Sequence, residues 1–125
     1  MPDPAAMEAA VHEYVAAFAA NSPERVAAIF APDAAVEDPI GTPPHVGHDA
    51  ILAFYTASMQ TGAKLELTGP VRLAGEYAAF AFSVHLHWDG SDKRVDVIDT
   101  FRFNEDGKVT EMKAYFGPSN FHGFG

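Results

Sequence analysis

Arg94-Val95-Asp96-Val97-Ile98-Asp99-Thr100-Phe101-Arg102-Phe103 alternates with a period of two. Read as a strand, it puts Arg94, Asp96, Ile98, Thr100 and Arg102 on one face and Val95, Val97, Asp99, Phe101 and Phe103 on the other. Four of the five residues on the second face are apolar, so Asp99 points at the interior. Holding an Asp of ordinary acidity protonated at pH 7 costs about 4 kcal/mol, roughly three units at 1.36 kcal/mol each, while leaving its charge in an apolar wall costs several kcal/mol or more. A neighbouring carboxylate can decide between two such similar costs. The residues alone leave two readings open: an acid kept neutral that donates a hydrogen bond into a cavity, or a buried Asp satisfied by backbone groups.

The chain around this stretch repeats the same period. Phe80, Phe82, Val84, Leu86 and Trp88 alternate with Ala79, Ala81, Ser83, His85 and His87, and Asp89-Gly90 supplies a hairpin turn signal before the Asp99 strand. Asp106-Gly107 marks another turn, and Val109 to Phe116 reads as the last strand. Before Lys64 the period is helical. Residues 5–20 predict a helix with the apolar stripe Met7, Val11, Tyr14, Val15 and Phe18, Tyr14 lying near its middle. Ser22 and Pro23 read as an N-cap and first helical position of a short helix through Val26, Ile29 and Phe30, ended by Pro32. Ala34 to Asp38 reads as a short strand closed by Pro39. The loop Gly41 to Gly47 leads to a third helix carrying Ile51, Leu52, Phe54, Tyr55 and Met59, with Asp49 in its first turn. The expected class is α+β: three N-terminal helices packed on a curved, mainly antiparallel sheet that encloses a conical cavity.

With 125 residues and no repeat or linker, the chain is expected to form one domain, residues 1–125. Its formal net charge of -9 argues against nucleic acid and against an anionic membrane, and favours a small, uncharged or weakly charged ligand. No run of eighteen apolar residues occurs, and Met1-Pro2-Asp3-Pro4 does not open like a signal peptide, so a cytoplasmic location is expected. The absence of cysteine removes disulfides, thiolate nucleophiles and Cys-based metal sites.

The inner sheet face is expected to wall the cavity with Phe82, Leu86, Trp88, Phe101, Met112 and Phe116, joined by Phe54 from the third helix. Few polar side chains share that face. Those that do are Tyr14, Asp38 and Asp99, with Tyr55 a fourth on the stripe of Ile51 and Met59. Asp38 shares a face with Ala34 and Val36, partly shielded yet able to ionise, which suits a general base, whereas Glu37 points the other way as a surface charge. Tyr14 and a neutral Asp99 can both donate an O–H to one oxygen, as an oxyanion hole requires. Together the groups suggest proton abstraction next to a ketone. Each residue also has an ordinary structural explanation when taken singly, and only the joint pattern points to catalysis. His85 and His87 lie on the opposite face without an evident third ligand, so no metal site is expected.

At these positions the chain resembles the bacterial ketosteroid isomerases. The resemblance is carried by Tyr14-Val15-Ala16-Ala17, Val36-Glu37-Asp38-Pro39, Phe54-Tyr55, Ala78-Ala79-Phe80-Ala81-Phe82 and Ile98-Asp99-Thr100-Phe101-Arg102-Phe103-Asn104, and it runs from about Met7 to about His122. It implies the nuclear transport factor 2-like (SnoaL-like, cystatin-like) fold and a cofactor-free isomerisation of 3-oxo-Δ5-steroids. In that chemistry the residue matching Asp38 moves a proton from C4 to C6, and those matching Tyr14 and Asp99 hold the dienolate oxygen. Tyr55 matches a residue that hydrogen-bonds the catalytic Tyr. Some relatives extend this network with a Tyr where this chain has Phe30, and some have His where it has Thr100. The resemblance also implies a homodimer through the outer sheet face. Because the fold hosts hydrolases, dehydratases, cyclases and binding domains, the alternative is a non-catalytic module for an apolar ligand or another enzyme of that fold. A dehydratase would be expected to place a His among the inward groups, and none is evident.

Overall fold

The computed structural model describes residues 2–124. Helices α1 (Pro4–Ala19), α2 (Pro23–Ala27) and α3 (His48–Met59) accompany strands β1 (Phe30–Glu37), β2 (His45–Val46), β3 (Lys64–Leu67), β4 (Arg72–Ala74), β5 (Tyr77–Trp88), β6 (Ser91–Phe103), β7 (Val109–Tyr115) and β8 (Phe121–His122). The strands form one sheet in the order β2-β1-β7-β6-β5-β3, with β4 on β5 and β8 on β6. Only β1 and β7 pair in parallel among the described residues, so the expected α+β, mainly antiparallel architecture is the one adopted.

Local chemistry explains most boundaries. Asp3 caps α1 by accepting the Ala5 N–H at 3.0 Å, with Pro4 at the first helical position. Ser22 caps α2 in the same way through Arg25 N–H. The β5–β6 hairpin turns on Asp89 and Gly90, whose φ angles of 55° and 78° suit the two central residues of a tight turn with positive φ at both positions. From there the ladder runs without a slip between Trp88↔Ser91 and Tyr77↔Arg102.

The second helix departs from the expected bounds. It stops at Ala27 rather than continuing through Ile29 and Phe30 to Pro32, and the strand that follows begins at Phe30 instead of Ala34. Phe30 pairs with Val109 of β7, whose N–H donates to Ile29 O at 3.0 Å, and this ladder overrides the helical spacing. Pro32 lies where the β1–β7 register shifts, a place in a sheet that tolerates a residue without an N–H.

Tyr14, Phe18, Tyr55, Phe30, Phe80, Phe101, Phe103, Val109 and Met112 are all buried together, the Tyr14 ring of α1 meeting Phe80 of β5 and Phe101 of β6 and the Tyr55 ring of α3 meeting Phe30 of β1. Each such side chain contributes about 1.5–3 kcal/mol by leaving water. This packed end seals the cone at the C-terminal half of β6. The other end stays open and carries the cavity. Among the described residues no helix is long and apolar enough to cross a membrane.

Candidate active site

The sheet register places the acids together. Asp99 pairs with Ala114 across β6 and β7, and Ala114 O accepts the Ile40 N–H at 2.8 Å. Residue 40 lies two places beyond Asp38, so the turn that follows β1 is stitched to the cross-strand neighbour of Asp99. Glu37 fastens the same turn from its other side by accepting the Gly41 N–H at 2.6 Å. It is a brace for the Asp38 turn, not the free surface charge expected from its parity.

Tyr14 comes from the middle of α1 and Tyr55 from α3, and their hydroxyls are 3.1 Å apart in a buried hydrogen bond. When Tyr55 donates, the Tyr14 proton is free to turn into the cavity. The Tyr14 ring is held edge-on by Phe18, Tyr55, Phe80 and Phe101 at centroid distances of 5.3, 5.8, 6.2 and 5.3 Å, which fixes where its hydroxyl points.

Asp99 is 1% exposed, and neither of its carboxyl oxygens has a hydrogen-bond partner among the described residues. Of the two readings the sequence left open, satisfaction by backbone groups is therefore not the one found. Burial pushes the Asp99 carboxyl well above the usual carboxylate range and the Asp38 charge pushes it further, with the Tyr14 hydroxyl opposing part of this. Asp38 is less deeply placed, and burial raises it only to about 6. Burial therefore favours the neutral acid more strongly at residue 99 than at residue 38. Burial likewise keeps the Tyr14 and Tyr55 hydroxyls protonated, and the neighbouring acids act in the same direction. The two carboxyl groups and the two tyrosine hydroxyls converge on one space.

That space is a cavity of about 280 Å³ lined by Tyr14, Asp38, Tyr55 and Asp99 at its polar end. Phe82, Leu86 and Phe116 line it as expected. The other four expected wall residues do not. Phe101 and Met112 are wholly buried behind the site, paired across β6 and β7 beneath α1, where the cone has already closed. Trp88 ends β5 at the hairpin turn, beyond the cavity, and is 60% exposed. Phe54 neighbours Tyr55 about 100° around α3, so both cannot face inward; it stacks on His45 at 4.4 Å instead. Leu65, Val84, Val95 and Val97 are wall residues that were not singled out. Their signal was present, since Val84, Val95 and Val97 share the inner alternation of Phe82 and Asp99, and Leu65 pairs with Val84. Phe121 also lines the cavity and had no periodic signal, because its strand is two residues long.

His85 and His87 face separate carboxylates, Glu66 and Asp92, each at 2.9 Å. Among the described residues no three His, Asp or Glu groups are arranged to hold a metal ion.

Residues 11–112 match the family model of the SnoaL-like domain. A steroid Delta-isomerase of Nocardioides simplex is 38% identical over 116 residues, which cover 93% of this chain and 94% of that one. The structure of SalBIII, an epoxide hydrolase/cyclase-like enzyme that has a role in pyran ring formation in the polyether salinomycin, superposes with a TM-score of 0.89 at 19% identity, covering 97% of this chain and 98% of that one. At that identity the likeness concerns the fold.

Proposed function

We propose that this chain, which belongs to the SnoaL-like family, is a cofactor-independent isomerase that converts 3-oxo-Δ5-steroids to 3-oxo-Δ4-steroids. The observation that carries the reading is the pair of buried, unpartnered Asp99 oxygens beside the Tyr14–Tyr55 hydroxyl pair, at the closed end of an apolar cavity. An unsatisfied buried polar group costs about 1–3 kcal/mol, and a ligand oxygen placed there removes that cost. The family relative that bears the name steroid Delta-isomerase supports the same chemistry.

The reaction follows from the roles of the groups. The Asp38 carboxylate takes a proton from C4, the carbon between the ketone and the double bond, and the electrons of the C4–H bond delocalise onto the ketone oxygen. Tyr14 and neutral Asp99 donate hydrogen bonds to that dienolate oxygen. Asp38, now protonated, returns the same proton to C6, which moves the double bond into conjugation with the restored ketone. A positioned base contributes about 10²–10⁴-fold and each oxyanion donor about 10²–10³-fold, before the gain from fixing the substrate beside the base.

The test is an ultraviolet assay with 5-androstene-3,17-dione and no added cofactor, since the conjugated product absorbs where the substrate does not. Conversion is expected, with kcat/KM falling as the pH drops below about 6, where Asp38 becomes protonated and can no longer act as a base. Asp38→Asn is expected to abolish turnover while leaving steroid binding intact. Absence of conversion by the parent protein, or loss of binding in place of turnover in the variant, would contradict the assignment.

A further inference from the structure

Residues 117–123 are fastened with more care than a loose segment needs. After β7 the backbone turns at Pro118–Asn120, with Gly117 N–H donating to Asn120 Oδ1 at 2.8 Å, and comes back as β8 along the edge of β6, pairing Phe121 with Val95 and His122 with Arg94. Alternation across this short strand sends the Phe121 ring into the cavity and the His122 ring to the outer face, where Nε2 lies 3.0 Å from Asp96 Oδ2. Asp96 is itself held by Ser83 Oγ at 2.8 Å and Arg94 Nε at 3.1 Å. On the inner face the largely buried Lys93 donates from Nζ to Gly123 O at 2.5 Å. Gly123 has φ +87°, and a Cβ there would meet Asp92 O at 2.8 Å, so the strap lies closer to β6 than any side chain permits.

We infer that residues 117–124 form a strap that sets the length of ligand the cavity selects, with Gly123, His122 and Lys93 as positioning residues that hold the Phe121 ring at the end remote from Asp99. Val95, opposite Phe121, is four residues along β6 from Asp99, or about 13 Å at about 3.3 Å per residue. A ketone gripped at Asp99 touches Phe121 only if its rigid skeleton runs most of that distance. A fused four-ring ketone does so, and a monocyclic one does not. The edge-to-face pair of Phe116 and Phe121, with centroids 6.0 Å apart, makes the far wall aromatic, which favours an apolar ring over a polar group. The inference takes its chemistry from the isomerase reading, but the strap acts on binding.

The experiment compares 5-androstene-3,17-dione with 3-cyclohexen-1-one, which carries the same β,γ-unsaturated ketone on a single ring. Gly123→Ala, which lifts the strap without touching the cavity, and His122→Ala, which removes its outer fastening, are each expected to raise KM for the steroid by roughly tenfold, the worth of one aromatic contact. Both should leave kcat for the steroid and kcat/KM for the small ketone within about twofold. Phe121→Leu, with the fastenings intact, should reproduce the rise in steroid KM. An unchanged steroid KM in Gly123→Ala, or an equal loss on both ketones, would overturn the proposal. A parent protein inert toward both ketones would overturn the isomerase reading alone. The strap is then judged by the Kd of 4-androstene-3,17-dione, which Gly123→Ala must still weaken.

Discussion

Asp99 is the residue on which stability and chemistry pull in opposite directions. Its inward direction was legible from strand parity, because a one-residue alternation leaves no other side for it. That both oxygens go without a partner was not legible, since this depends on how α1 and α3 close over β6. The linkage has a definite sign. Burial raises the folded-state carboxyl well above the unfolded value, so the native state binds more protons than the unfolded chain, and stability declines as pH rises through the ordinary Asp range near 3.9 and beyond. Asp99→Asn removes this titration while keeping a donor of similar shape. Thermal denaturation of the Asn variant should give a Tm several degrees above the parent at pH 7, with the difference shrinking toward pH 4. A difference independent of pH would mean that residue 99 is ionised in the folded protein.

At the scale of elements, period fixed which face a side chain takes and left open how far along the cone it sits. Phe82 and Phe101 share the inner face, yet one meets the cavity and the other is sealed behind it. The same limit explains Met112, which lies beneath the helices, and Trp88, which lies past the rim. The second helix was misjudged because Val26, Ile29 and Phe30 keep helical spacing, while the partner that draws Phe30 into a strand is Val109, far away in sequence. Glu37 shows a different blindness: parity turned it away from the site correctly, but its bond to Gly41 N–H makes it a brace for the Asp38 turn. The strap was invisible for a physical reason, since two residues cannot display a period and its fastenings come from Asp96 and Lys93 on another strand.

At the scale of the whole molecule, the helices cover the inner sheet face and leave the outer one bare. Ile98 and Tyr115 stand there 49% and 40% exposed beside the small side chains of Ala81 and Ser83, along an open groove of about 730 Å³. Exposed apolar groups gathered among small residues on a flat sheet fit a second copy of the same face, and the isomerase reading carries that expectation with it. Sedimentation equilibrium at micromolar concentration should report a dimer, and Ile98→Arg should shift it to monomer by burying a charge at the centre of the contact. A monomeric parent protein would remove this expectation without touching the site, whose groups all come from one chain.

The proposed isomerisation requires a neutral Asp99 that grips a negatively charged oxygen together with Tyr14. Infrared difference spectra of the parent protein against Asp99→Asn, each with a steroid phenol bound at pH 7, read that proton directly. The carbonyl band of a protonated carboxylic acid, present in the parent and missing from the variant, is the result expected. Carboxylate bands alone at residue 99 would contradict the account.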